Sequence, residues 1–175
     1  MVRCRQTVAR FGRIDRLTTL HVVNGRTLGL NDNTVDITFS YITLQHCQPH
    51  DALELVNQAI RVTRSGGTVV LNFRTWVLSD VLLVPLGVAM RSLWKVSFVG
   101  PRLARWRWST RFGWQANRLK PDTVLTKVAP QLGNIKIFHS KKRTLKVLTT
   151  GKNGVRVIPT NRINPSHWWL VAQVS

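Results

Sequence analysis

Residues 31–73 constrain the fold more than any other stretch. They read NDNTVDITFSYITLQHCQPHDALELVNQAIRVTRSGGTVVLNF. A polar turn, Asn31-Asp32-Asn33, leads into Val35-Asp36-Ile37-Thr38-Phe39-Ser40, whose β-branched and aromatic residues favour a strand. Pro49 and Asp51 mark a helix start, and Asp51 with Glu54 three residues on has the form of a capping box. Ala52, Val56, Ala59, Ile60 and Thr63 recur at helical spacing. Ser65-Gly66-Gly67 then offers the left-handed backbone of a C-cap, and Thr68–Phe73 reads as a second strand. A strand, a helix of about four turns and a strand make a βαβ unit with parallel strands and a right-handed crossover. Both strands are expected to be buried on both faces, with Val35, Ile37 and Phe39 beside Val69, Val70 and Leu71.

The flanking sequence is less decisive. Met1–Phe11 reads as part of a basic helix and Leu17–Val23 as a strand closed by the Asn24-Gly25 turn. Residues 75–94 are apolar but interrupted by Asp80, Pro85 and Arg91, which argues against a membrane span and for a helix or broken helix pair on the sheet. Residues 91–118 interleave arginines with Trp94, Phe98, Trp106, Trp108, Phe112 and Trp114. That mixture suits single-stranded nucleic acid, an anionic membrane surface, a substrate lid, or rings packed inward beneath solvated Arg heads. Pro121 starts another helix, expected to run through Leu132 and stop at Gly133. Ile135–His139 reads as a short strand, Lys141–Gly154 as a hairpin insertion and Trp168–Val174 as a final strand.

The run VDITFSYITLQH, followed by a helix ending RVTRSGGTVVLNF, resembles the fourth strand, fourth helix and fifth strand of class I S-adenosylmethionine-dependent methyltransferases. The resemblance implies an α/β, partial Rossmann-like sheet: family strands 3 to 7, with strands 1 and 2 missing. Residues 1–175 would form a single methyltransferase-like domain, the C-terminal two-thirds of the family domain, with Met1 an internal methionine used as a start. The last strand would run antiparallel. It further implies S-adenosylmethionine as cofactor. Asn24 and Gly25 stand where the family contacts adenine, although a plain turn explains them equally well. Ser40 and Tyr41 would lie nearest the methyl donor. Gln45 and His46 would meet the substrate, His46 being the best candidate base. The methyl acceptor is not specified.

Two elements of the family's cofactor site have no counterpart here. No G-x-G follows a strand, and no acidic residue ends a second strand to hold ribose hydroxyls. The third strand would then have to pair with Val35–Ser40, pair with another chain, or come loose. His46-Cys47-x-x-His50 groups three possible ligands, but without a fourth it reads as a plain loop and no metal is expected.

Charge sets the competing reading. Lys plus Arg number 26 against 7 Asp plus Glu, a net charge of +19. Such a field attracts polyanions or anionic lipid, although basic residues dispersed along a chain also arise without a partner. A non-enzymatic basic binding protein for nucleic acid or an anionic membrane surface is therefore the alternative to a methyltransferase. The two cysteines, Cys4 and Cys47, form no disulfide framework, and Met1–Arg13 has no apolar core of a secretory leader. Both point to the cytoplasm, with or without membrane association.

Overall fold

The computed structural model of the protein describes residues 18, 20, 22, 24–106, 116–148 and 154–175. In chain order the elements are β1 (Val35–Ser40), α1 (Pro49–Val62), β2 (Thr63–Arg74), α2 (Asp80–Trp94), α3 (Gly100–Ala104), α4 (Pro121–Val128), β3 (Leu132–Ser140), β4 (Arg156–Thr160) and β5 (His167–Val174). The five strands form one sheet in the order β1-β2-β5-β3-β4. β1 and β2 pair in parallel, with Phe39 opposite Val70 and Ser40 opposite Leu71. β5 runs antiparallel to both β2 and β3. The βαβ unit and the antiparallel last strand are as the sequence implies. The Met1–Phe11 helix lies outside the described residues. So does most of the Leu17–Val23 strand, whose residues 18, 20 and 22 are described without strand structure.

The unit is closed differently from the sequence expectation. Gln48 occupies the N-cap of α1 without a side-chain bond, and Pro49 at the first position removes one donor that needed satisfying. Asp51 does not cap: its carboxylate pairs with Arg26. At the other end no glycine stops the helix. Thr63 turns directly into β2, its hydroxyl donating to Ala59 O at 2.7 Å and lying 2.6 Å from the Thr38 hydroxyl. Ser65-Gly66-Gly67 is instead a bulge inside β2. Between Val35↔Thr63 and Ile37↔Thr68 the chain advances two residues on β1 and five on β2. Gly66 takes φ +76°, and a Cβ on Gly67 would stand 2.8 Å from Asp36 O and 2.7 Å from Thr63 Cγ2. The bulge thus requires glycine twice, for conformation and for close approach.

Among the described residues the sheet is packed on one face. Val69, Leu71 and Phe73 of β2 share that face with Trp168, Leu170 and Ala172 of β5 and with Ile135 and Ile137 of β3. Ala52, Val56, Ala59 and Ile60 of α1, and Val124, Leu125 and Val128 of α4, complete a single core. The expected burial of β1 on both faces does not hold. Thr38 and Ser40 face the α1 side, in register with Val69 and Leu71, while Ile37 and Phe39 point to the opposite face and are each 64% exposed. Among the described residues β1 is an edge strand.

Three further expectations change. α4 ends at Val128, because Pro130 cannot continue a helix; a 3-10 turn, Ala129–Gln131, follows and Leu132 already begins β3. Residues 141–148, the described part of the expected Lys141–Gly154 hairpin, form no strand, and β4 beyond them pairs parallel to β3. α2 runs unbroken through Pro85 and does not lie against the sheet: Leu82 is 73% exposed.

Gly67→Ala should lower unfolding free energy by about 1–3 kcal/mol through overpacking. Gly29→Ala, where a Cβ meets open space, should change it little. Urea titration of both variants checks this; equal stabilities would mean that the bulge is not tightly packed.

Candidate functional site

β1, β2 and β3 all point the same way, because β5 is antiparallel to β2 and β3. Their carboxyl ends define one edge of the sheet, the edge where open α/β sheets bind ligands. The chain leaves β1 there through a strained turn. Ile42 takes φ 65°, an outlier for a β-branched residue, and its N–H donates to Oδ1 of the buried Asn72 at 3.3 Å. Asn117 then clamps the 3-10 turn Leu44–His46: its Nδ2 donates to Leu44 O at 2.6 Å and to Cys47 O at 2.8 Å, and its N–H donates to Gln45 O at 2.6 Å. Among the described residues Gln45 Oε1 and Asn117 Oδ1 are buried acceptors without a donor.

Ser40, Tyr41, Gln45 and His46 lie at this edge, and the Asn24-Gly25 turn stands beside the first turn of α1. Ser40 ends β1, half-buried on the α1 side. Tyr41 is exposed and stacks on Trp169, ring centroids 5.6 Å apart and planes 5° from parallel. Gln45 is buried, and its Nε2 lies 3.3 Å from Nε2 of the exposed His46. The Asn24-Gly25 turn is held at the N-terminus of α1, where Arg26 meets His50 and Asp51. The Asn24 amide is already engaged: Oδ1 accepts from the N–H groups of Arg26 and Thr27 at 3.0 and 2.8 Å, and Nδ2 donates to the Thr27 hydroxyl. Burial, and then the Asp51 carboxylate, push the Cys47 thiol up, so it is a poor nucleophile. Among the described residues no three metal-ligating side chains converge.

Further along the same edge lies a cavity of about 550 Å³ that the sequence did not reveal. Trp76 after β2, His139 at the end of β3 and His167 at the start of β5 line it, with Lys120, Arg143 and Lys146. Its wall carries mainly apolar groups, among them Pro121, Leu145 and Leu148, beside those three cations. His167 Nδ1 lies 3.0 Å from the Ser166 hydroxyl, and its Nε2 is buried without a partner among the described residues. Burial first, and Arg74 second, lower its basicity. The lining comes from four separate segments, so no local motif announces it.

The buried Asp80 carboxylate fixes the cavity wall. Arg118 donates to it twice, at 2.9 and 2.8 Å, Arg74 once at 3.0 Å, and the Val77 N–H once at 3.0 Å. Arg118 above all, with Val77 N–H and Arg74, holds this carboxyl far below the usual range against the opposing effect of burial. The Arg118 guanidinium also lies over the Trp76 ring, 4.9 Å from its centroid.

Residues 2–71 match the family model of the methyltransferase domain. That part of the chain resembles a methyltransferase domain. The match spans β1, α1 and most of β2, the unit whose carboxyl edge holds Ser40, Tyr41, Gln45 and His46. No curated protein matches the chain. Among solved structures it is similar to a Thermotoga maritima S-adenosylmethionine-dependent methyltransferase described as a possible histamine N-methyltransferase. The two share 12% identity at a TM-score of 0.49, over 95% of this chain and 70% of that one. It is similar too to a Pyrococcus horikoshii protein, with 15% identity and a TM-score of 0.44, over 95% of this chain and 67% of that one. A third is the geranyl diphosphate C-methyltransferase of Streptomyces coelicolor, solved with S-adenosylhomocysteine. There the identity is 16% and the TM-score 0.45, over 95% of this chain and 55% of that one.

The charge cluster and the cavity histidine give acid sensitivity with a defined sign. His167 has a lowered folded-state pKa, so its contribution is complete above the ordinary histidine value of about 6.5 and declines as pH falls below it. Asp80 is likewise lowered; its contribution is complete above about 3.9 and is lost as pH falls through the depressed folded value. Urea midpoints should drop on acidification below about pH 6.5, and His167→Gln should remove part of that first drop. Asp80→Asn at neutral pH should cost about 3–5 kcal/mol, because two guanidinium groups lose their carboxylate.

Proposed function

We propose that this domain methylates an acceptor seated at the carboxyl edge of its sheet, with S-adenosylmethionine as donor. The observation that carries the reading is the match of residues 2–71 to the methyltransferase domain, over the parallel β1–α1–β2 unit. S-adenosylmethionine supplies an activated methyl group on a sulfonium, which a nucleophile takes in one displacement. The protein's part is to position and to desolvate. Asn24 and Gly25 would meet the adenine end, Ser40 and Tyr41 the methyl-bearing end, and Gln45 and His46 the acceptor. His46, exposed in the loop after β1, is the base for an acceptor that must lose a proton. Residues 1–175 are read as one such domain.

The residues fit this donor in part. The donor-less Gln45 Oε1 and Asn117 Oδ1 suit an amino group at the β1 turn. Among the described residues a ribose-binding carboxylate is not on offer. Asp32, Asp36, Asp51 and Asp80 are each paired with an arginine, Glu54 accepts from Asn57, and Asp122 accepts from the Leu148 N–H. Two missing charge-assisted bonds weaken binding by about two to four powers of ten.

The cavity supports an elongated acceptor. Its lining strands β5 and β3 lie two and three positions from β1, about 10 to 15 Å at 4.8 Å per strand. An acceptor held by Trp76 and His167 must extend along the edge to reach a donor at Tyr41. The net charge of +19 favours a second reading, a basic scaffold in the cytoplasm for a polyanion or anionic membrane surface, without catalysis.

Titration calorimetry of the full chain separates the two readings. Saturable but weak heat with S-adenosylmethionine, competed by S-adenosylhomocysteine, is expected. No saturable binding at the highest soluble concentration would remove this donor and leave the scaffold reading. Micromolar binding would overturn the ribose argument.

A further inference from the structure

The α2–α3 segment presents an apolar surface to solvent. Leu78 is 86% exposed, Leu82 73% and Phe98 72%. Leu82, Leu86 and Leu93 fall at i, i+4 and i+11, one stripe of the helix, and all three are exposed. Exposed cations follow the stripe directly: Lys95, Arg102 and Arg105. Trp106, two residues beyond α3, is also exposed. The base of α2 is fixed to the body through Asp80 and its two arginines, so the stripe has a set orientation.

We propose that α2–α3 is a docking surface for an anionic lipid bilayer. The helix lies along the membrane, with its leucine stripe at the boundary of headgroups and acyl chains and Lys95, Arg102 and Arg105 against lipid phosphates and carboxylates. It does not cross. At 15 residues α2 is about 22 Å long, short of the roughly 30 Å hydrocarbon core, and no described helix is long and apolar enough to span. Charge selects this occupant. A second copy carrying +19 would be repelled from the same face. Single-stranded nucleic acid stacks its bases on aromatic rings and would leave the leucines in water. An anionic bilayer satisfies both halves of the surface, and each cation at such a surface multiplies binding about fivefold.

The test is co-sedimentation of the full chain with phosphatidylserine-containing vesicles and with pure phosphatidylcholine vesicles. Pelleting with the anionic vesicles at low salt, lost at high salt, is expected. The Leu78→Gln/Leu82→Gln double variant should reduce partitioning at least about tenfold. Both side chains are exposed, so its circular dichroism and urea midpoint should match the parent. The triple change Lys95→Gln/Arg102→Gln/Arg105→Gln should reduce anionic binding independently. No pelleting at low salt would overturn the proposal. So would pelleting that survives loss of the leucines, which would be bulk charge alone. A dimer in sedimentation equilibrium that ignores vesicles and vanishes in the leucine variant would assign the surface to self-association instead.

Discussion

A fully buried carboxylate between two guanidinium groups ties the sheet to everything appended to it. Arg74 ends β2, Asp80 begins α2, and Arg118 lies just before α4. Each ion alone would be expensive to desolvate; together, and with the Val77 N–H, they offset much of that cost, although Arg74 Nε is buried without an acceptor among the described residues. The link holds an apolar helix away from a core it does not join. It also places Trp76 under Arg118 at the cavity wall, where Arg143 donates to the Trp76 carbonyl. One cluster therefore governs both the helix surface and the cavity.

The second constraint is the uneven covering of the sheet. α1 and α4 fill one face with contiguous side chains. On the other, Phe39 and Tyr41 gather around Trp169, with Val70 and Val171 only half covered. β1 alternates polar and apolar residues in an inverted sense: Thr38 faces inward, where its hydroxyl reaches Ala59 O, and Ile37 and Phe39 face outward.

Much of this was legible because local chemistry and fold agree. The β-branched runs gave β1 and β2, the helical spacing gave α1, and Trp168–Val174 lies within the antiparallel β5. The errors arose where one residue type serves two purposes. Gly66-Gly67 reads as a helix cap but makes a bulge, because left-handed backbone suits both. Asp51 reads as a cap, but Arg26, distant in sequence, claims it. The strict alternation Val35-Asp36-Ile37-Thr38-Phe39-Ser40 was a signal of a half-buried strand that the βαβ argument overrode. The edge residues Ser40, Tyr41, Gln45 and His46 were legible from their place after a strand. The cavity was not, because Trp76, His139, Arg143 and His167 converge only through the sheet order β2-β5-β3.

A sheet dressed on one side has a thermal consequence. The heat-capacity change of unfolding scales with the apolar area newly exposed to water, at about 0.45 cal/K/mol for each Å². Ile37, Phe39 and the outer side chains of α2 are already in contact with water in the native state and add little to that increment. The curve of stability against temperature is correspondingly flatter than for a domain of this length with both faces covered. Stability then changes only gently on cooling, and the boundary of cold unfolding moves to lower temperature.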